Sequence, residues 1–176
     1  MATWSRFRLP LIVQCLLTLI PVNIYVVGDW LAVGMQWIFF QYQQSYMGNS
    51  LILFTRELDY IRYGWITGRS ALAAEVAMAA SFLLLISLII FIYVGLTESG
   101  AQIKAGALST IGGGCLFLLS DIIQYGILFH GPAGFAIPVG VPAMLVCGWW
   151  MYRMKFTDPR NDRSQDDDVS EDDEKS

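Results

Sequence analysis

Apolar residues along this chain gather in four runs, separated by one long mixed segment and two short turns. The runs cover residues 9–27, 76–94, 105–129 and 135–152. Each approaches or exceeds the roughly 20 residues that a helix needs to cross a bilayer. The pattern therefore predicts an all-α integral membrane protein in which four transmembrane helices form a bundle within residues 1–156.

The segment 28–75 is the long connection between the first two predicted spans. It holds ten aromatic and seven charged residues, too polar to span a membrane and too apolar for a free loop. Apolar residues from Leu51 to Trp65 recur at spacings of three and four, which predicts an amphipathic helix. Arg56, Asp59 and Arg62 fall on its wetter side and, with Trp65, are candidate interaction residues of an outer loop.

The earlier part of this connection, Trp30–Tyr46, is rich in aromatic residues and glutamine but has a less decisive period. An interfacial helix in the aromatic belt of the membrane is the favoured interpretation. A strand-like flap and a buried re-entrant hairpin remain open as alternatives.

The third run contains a carboxylate deep inside an apolar segment, Asp121. An ionised acid there costs several kcal/mol unless it is paired or reaches water. Structural hydrogen bonding, contact with a partner protein, and a role toward an ion, proton or substrate are all open. Small and polar residues share a helical face with it and are candidate functional or packing positions: Gly106, Thr110, Gly113, Gly114, Ser120 and Gln124.

Charge is distributed unevenly along the chain, whose formal net charge is −4. Residues 157–176 carry nine acidic and three basic side chains, which predicts a disordered acidic tail. With both termini on one side of the membrane, that side has eight Lys and Arg residues against three on the other. The positive-inside rule then predicts a cell-membrane protein with cytoplasmic termini and an outer 28–75 loop.

Recognisable catalytic chemistry is missing from the sequence. His130 is the only histidine, no Cys/His cluster exists, and Gly112–Gly114 are not followed by the lysine of a phosphate-binding loop. We therefore expect no catalytic residues, metal site or cofactor. Apart from its acidic tail the chain is not strongly charged, so nucleic acid is not expected as a partner.

The layout of four spans with a long first outer loop resembles that of claudin-like and other tetraspan proteins. The claudin-like pattern has a cysteine pair in that loop, whereas residues 28–75 contain no cysteine. The resemblance is one of layout only, and layout alone does not transfer function.

The sequence favours a non-enzymatic assembly subunit or scaffold that acts through its outer aromatic loop and small-residue helix faces. Its expected partners are the lipid bilayer and either other membrane subunits or further copies of itself. The alternative is a small transporter or channel component with Asp121 in a polar path. A membrane-embedded enzyme or cofactor carrier is the third option.

Overall fold

The computed structural model describes residues 3–28, 30–97, 100–132 and 134–154, with backbone only for residues 3–7 and 101. The predicted acidic tail, residues 157–176, lies outside the described residues. Within them the chain forms five α-helices and one six-stranded antiparallel sheet. In chain order the elements are α1 (Thr3–Leu19), β1 (Asn23–Val27), β2 (Ala32–Gln36), β3 (Phe40–Ser45), β4 (Gly48–Leu53), α2 (Phe54–Arg62), α3 (Arg69–Thr97), a 3₁₀ turn (Gly100–Gln102), α4 (Ile103–Tyr125), β5 (His130–Gly131), β6 (Gly134–Ile137) and α5 (Gly140–Arg153).

The prediction of an all-α, multi-pass four-helix bundle is therefore wrong. The sheet is one reason, and helix length is the other. Among the described helices, α3 and α4 alone are long and apolar enough to cross a membrane, with mean hydropathies of 2.6 and 1.6. This assignment is based on helix length and composition only, and a buried core helix of a soluble protein meets the same criteria.

The first predicted span, 9–27, divides into a helix and a strand. Helix α1 ends at Leu19, two residues before Pro21, whose ring fixes φ and disfavours a helical conformation at the residue before it. The following Asn23–Val27 is rich in β-branched and aromatic residues and forms β1. Because the residues are apolar on both sides of Pro21, hydropathy alone does not show that the chain changes from helix to strand there.

The segment 28–75 is mainly a meander of strands. The favoured interfacial helix at Trp30–Tyr46 is wrong, and the strand alternative is what the structure contains, as β2 and β3. The predicted amphipathic helix shortens to α2, because the residues before Phe54 belong to β4. Strand pairing in the meander overrides a helical period that was present in the sequence.

The last predicted span, 135–152, also divides. Residues Gly134–Ile137 form β6, and α5 begins only at Gly140, beyond Pro138. The third predicted span, 105–129, corresponds to α4, which ends at Tyr125. The second, 76–94, lies inside the longer α3.

Helices α3 and α4 form an antiparallel pair, with α5 against α4 and α1 against α3. Small residues on α4 leave room for large side chains of its neighbours. A Cβ added to Gly113 would lie 2.7 Å from Leu84 Cγ on α3, and one on Gly106 would lie 2.9 Å from the Phe91 ring. The main apolar core, which includes Leu17, Leu84, Phe117 and Met144, lies between these helices.

The strand order across the sheet is β4-β3-β2-β1-β6-β5, so β1 and β6, distant in sequence, pair inside the sheet, with β5 as the edge strand beyond them. Three side chains bind the sheet and its loops to the helices. Trp37 Nε1 donates to the Leu19 carbonyl (3.1 Å), Ser81 Oγ to the Ile38 carbonyl (2.7 Å), and Asn23 Nδ2 to Asp121 Oδ1 (2.5 Å). The sheet therefore lies across the helix ends near Leu19 and Tyr125.

The two faces of the sheet differ in chemistry. We call the face toward the helices the inner face. It presents mostly polar or small residues, among them Asn23, Tyr25, Ala32, Gly34, Gln36, Gln41, Gln43 and Ala136, with Val27 and Ile52 as apolar members. The opposite, outer face is mostly apolar, although Gln44 and Asn49 also lie on it. One row of register partners crosses five strands on that face: Ile137, Ile24, Met35, Tyr42 and Leu51.

Candidate functional site: a polar cavity beneath the sheet

A cavity of about 250 Å³ lies between the inner face of the sheet and the helices, with α2 contributing one side. Two acids line it, Asp121 and Glu57. Its other polar lining residues are amides and hydroxyls, namely Gln36, Gln41, Gln43, Gln124, Tyr25, Ser70, Ser120 and Tyr125. The described lining contains no lysine, arginine or histidine, so its ionisable groups are acids and phenols.

Asp121 enters the cavity from the last turns of α4 and is only 3% exposed. One oxygen, Oδ1, accepts the short bond from Asn23 Nδ2, which fixes the carboxyl group against β1. The other, Oδ2, is buried and has no hydrogen-bond partner among the described residues. A buried carboxylate oxygen without a hydrogen-bond partner is costly to keep charged.

Glu57 lies on α2 and lines the same cavity. Burial raises the pKa of its carboxyl above the usual value, because desolvation disfavours the charged form. Sequence pattern alone does not distinguish Glu57 from the other charged residues of segment 28–75. Its importance follows from the position of α2 beneath the sheet.

Tyr25 projects from β1 into the cavity, where its hydroxyl donates to Gln41 Oε1 at 3.1 Å. Burial raises the pKa of Tyr25, and the nearby charges of Tyr125 and Glu57 raise it further. The ring fits because its register partner on β2 is Gly34. A Cβ at Gly34 would lie 2.3 Å from the Tyr25 ring, which is an impossible contact.

Three sequence-predicted residues meet at this cavity: Ser120, Asp121 and Gln124. Ser120 Oγ donates to the Ala73 carbonyl (2.8 Å), which joins α4 to α3 beside the acid. The sequence therefore predicted the residues that α4 contributes to the site. It did not predict those contributed by the sheet and α2.

Thr110 lies elsewhere, in a buried polar cluster within the helices. Its Oγ1 is 2.7 Å from Ser87 Oγ on α3 and 3.0 Å from Gln14 Oε1 on α1. Eleven residues, or roughly 16 Å along the helix, separate it from Asp121. Gly106 and Gly113 contact α3, and Gly114 contacts Met144 and Leu145 on α5. These positions join helices of one chain and lie away from the cavity.

The candidate loop residues Arg56, Asp59, Arg62 and Trp65 are exposed on or just after α2 and are not among the cavity lining. The Arg56 guanidinium lies 5.8 Å from the centre of the Tyr60 ring. Trp65 stacks on the same Tyr60 ring, with 5.4 Å between the ring centres. They form an aromatic and cationic surface outside the cavity.

One sequence signal pointed to the missed residues. Gln41 and Gln43 are two apart, the period of one strand face, and Gln36 joins them across the β2–β3 pairing. Reading that period as a strand would have predicted a polar sheet face. The neighbouring aromatic residues made a membrane-surface helix more attractive.

Within the described residues, no group of three or more His, Cys, Asp or Glu side chains is arranged to hold a metal ion. Thiolate and imidazole sites of the zinc type are therefore not formed there. The cavity offers a different donor set, made of carboxylate, amide and hydroxyl oxygens.

No known protein family matches this chain, and neither a curated protein nor a solved structure matches it.

Proposed function

We propose that this chain is a non-enzymatic protein of the cell membrane that assembles with a second copy of itself through the outer face of its sheet. The observation that carries the proposal is the unbroken apolar row across five strands of that face. The proposal retains the assembly role and the contact through residues 28–75 expected from the sequence, and it leaves out the small-residue helix faces, which pack within one chain.

Exposed apolar side chains on the helices support the membrane location. On α3 they include Phe82 and Ile89, which are 55% and 57% exposed, and α1 and α5 have similar residues in Leu16 and Val146. Large continuous apolar surfaces of this kind are rare on proteins surrounded by water. In this arrangement α3 and α4 are the spanning helices, and the sheet lies on the outer side.

The outer face of the sheet is well suited to protein contact. Val33, Met35, Leu51 and Ile137 are each at least 37% exposed although they lie on a regular sheet. At about 4.8 Å between strands, the five residues of the row extend over roughly 20 Å.

A second copy is the occupant that this chemistry favours. The outer residues of the sheet include no charged side chain, so two copies can face each other without like-charge repulsion. A two-fold contact uses one patch twice, and two apolar sheet faces pack at about 10 Å. The exposed side chains of Trp30 and Leu31 at the β1–β2 turn extend the patch toward a standard interface.

The test is the mass of the detergent-solubilised protein, measured by light scattering with the detergent contribution subtracted. We expect a dimer for the wild type and a monomer for Met35→Glu, because a charge buried at the centre of the row weakens association at least about 100-fold. Thr55→Glu, an exposed position on α2, is the matched control and should remain dimeric. A monomeric wild type, or a dimeric Met35→Glu variant, contradicts the proposal.

A further inference from the structure

The two edges of the sheet differ in length. At one edge β5 has only two residues, His130–Gly131, whereas at the other β4 has six, Gly48–Leu53. Among the described elements, no strand pairs with the far side of β4. We infer that this edge pairs with the same edge of a second copy in the same membrane, antiparallel and about a two-fold axis, so that two sheets become one. This contact needs the membrane location proposed above but not the contact between outer faces.

Strand β4 lacks the features that usually protect an exposed edge. Natural edge strands are short, bulged or covered, or they carry charged residues or proline. β4 has neither a charged residue nor a proline, and it pairs with β3 along its whole length without a bulge. Leu51 and Leu53 are 56% and 54% exposed. A long, uncharged and exposed edge of this kind is open to pairing with another strand.

The register of the sheet identifies the backbone groups that point to the free edge. Hydrogen-bonded pairs alternate along an antiparallel ladder, and the Phe54 N–H donates to the Phe39 carbonyl at 3.1 Å. Three residues of β4 share that parity and bond to β3: Gly48, Ser50 and Ile52. The backbone groups of Asn49 and Leu51 and the N–H of Leu53 therefore point away from β3.

These free groups are self-complementary about Leu51. With Leu51 on the two-fold axis, the Leu51 residues of two antiparallel copies exchange N–H···O bonds in both directions. Asn49 then lies opposite Leu53 of the second copy, whose N–H can donate to the Asn49 carbonyl. The Leu53 carbonyl is not required, because Leu53 is the N-cap of α2 and its carbonyl accepts the first bond of that helix.

The same register joins the apolar rows of the two outer faces. Leu51 is the last member of the row that begins at Ile137. In a hydrogen-bonded antiparallel pair the Cα atoms are about 5.5 Å apart, so the two Leu51 side chains lie side by side on one face. The row of one copy then continues into the row of the other. This continuity favours a second copy over an unrelated strand.

The direction of the two-fold axis allows both copies to sit in one membrane. Two antiparallel strands of a continuous sheet are related by an axis perpendicular to the sheet, so both inner faces lie on the same side. The helices of both copies lie on that side too, and their spanning helices can enter one bilayer. Contact between outer faces instead puts the helices of two copies on opposite sides. The edge and the face are thus separate contacts that one chain can make together.

The edge contact should depend on the membrane. Its backbone hydrogen bonds replace bonds to water, so each contributes little net free energy. Association in solution also costs translational and rotational freedom. Confinement to one bilayer lowers that cost by raising the effective concentration of the two chains. We therefore expect the edge contact in membranes and its loss after dilution into detergent, where the face contact alone determines the mass.

Cysteine cross-linking in membranes tests the register. The chain carries Leu51→Cys, with its three native cysteines replaced by alanine. Leu53→Cys is the matched control, on the same face of the same strand and almost equally exposed. In the proposed register, the Leu53 residues of the two copies are roughly 14 Å apart along the strands. Because a disulfide needs Cα atoms within about 7 Å, oxidation should give at least about tenfold more covalent dimer from Leu51→Cys than from Leu53→Cys.

A mixed pair checks the strand direction. Asn49→Cys and Leu53→Cys chains, co-expressed with different tags, should cross-link to each other, because antiparallel pairing places these positions opposite one another. Failure of Leu51→Cys to cross-link overturns the proposal. So does a Leu53→Cys variant that cross-links to itself as efficiently as Leu51→Cys, or a mixed pair that does not cross-link.

Two further measurements separate this contact from the function proposed above. Met35→Glu, added to Leu51→Cys, should leave the cross-link intact because Met35 lies on β2, away from the edge. Loss of the cross-link in that double variant assigns it to the outer face and overturns the edge contact. An alkaline carbonate wash before oxidation tests the membrane location. Release of the wild type by the wash contradicts both proposals, whereas a retained chain without the Leu51→Cys cross-link contradicts the edge contact alone.

Discussion

One face of the sheet is mostly polar and the other mostly apolar, and the polar face is the one that packs toward the helices. A sheet that packs on helices normally turns its apolar face toward them and its polar face toward solvent. Here the inner face is mostly polar and covers a cavity, whereas the outer face presents a row of apolar and aromatic side chains, of which Met35, Leu51 and Ile137 are exposed. The helices bury apolar residues chiefly among themselves.

Apolar packing joins the sheet to the helices at a few points, where Tyr25 and Ala136 meet Tyr125 and where Ile38 enters the main core. Individual hydrogen bonds, notably those of Trp37, Ser81 and Asn23, complete the link. A polar interior cavity and an apolar outer surface are then compatible with one sheet. Substitutions at neighbouring residues on opposite faces test this arrangement.

The largest expected effect comes from two adjacent residues of β2. Gly34→Ala should lower the free energy of unfolding by roughly 2–3 kcal/mol, because the new methyl group collides with the Tyr25 ring. Met35→Ala, on the outer face, should cost less than about 1 kcal/mol since its side chain is 40% exposed. Thermal unfolding in detergent measures both. Equal losses at the two positions would show that the faces are not distinct.

A smaller effect is expected on β3. Gln41→Leu removes the acceptor of the Tyr25 hydroxyl and should cost about 1 kcal/mol. Gln44→Leu places the same side chain on the outer face, where we expect a change within about 0.5 kcal/mol. The pair is measured by the same thermal unfolding. A loss at Gln44 larger than that at Gln41 would contradict the polar role of the inner face.

The smallest effect is a pH dependence carried by Glu57. Because burial raises its pKa in the folded state, its contribution to stability is present below the unfolded pKa and is lost as pH rises through the folded pKa. Glu57→Gln should therefore flatten the fall in Tm above about pH 4.5. Asp59→Asn is the control and should retain the wild-type profile. A Tm of the wild type that rises over this interval would show that Glu57 is not desolvated.

The sequence was sufficient to locate helices α3 and α4 and to single out Asp121. Both depend on local properties, namely long uncharged runs and one acid among apolar residues. Ser120 and Gln124 followed because they share a helical face with Asp121. These inferences required no knowledge of which segments pair in space.

The sheet could not be obtained in the same way. Asn23–Val27 looks like the end of an apolar helix until Gly134–Ile137 is known to pair with it, more than 100 residues later. Glu57 and Gln41 resemble ordinary surface residues until that pairing brings a sheet over the helix ends. Long-range strand pairing, rather than local propensity, decides these positions.

The pairing of β1 with β6 also orders events during synthesis. Strands β1 to β4 are consecutive hairpins and can pair as soon as residue 53 has been made. The other edge of β1 has no partner until residues 134–137 follow, and a Cβ at Gly134 would lie 1.8 Å from the Val26 carbonyl oxygen, so this contact closes backbone against backbone. A nascent chain therefore exposes a hydrogen-bonding edge while α3 and α4 are being made. This interval is when a chaperone or a wrong strand can occupy β1.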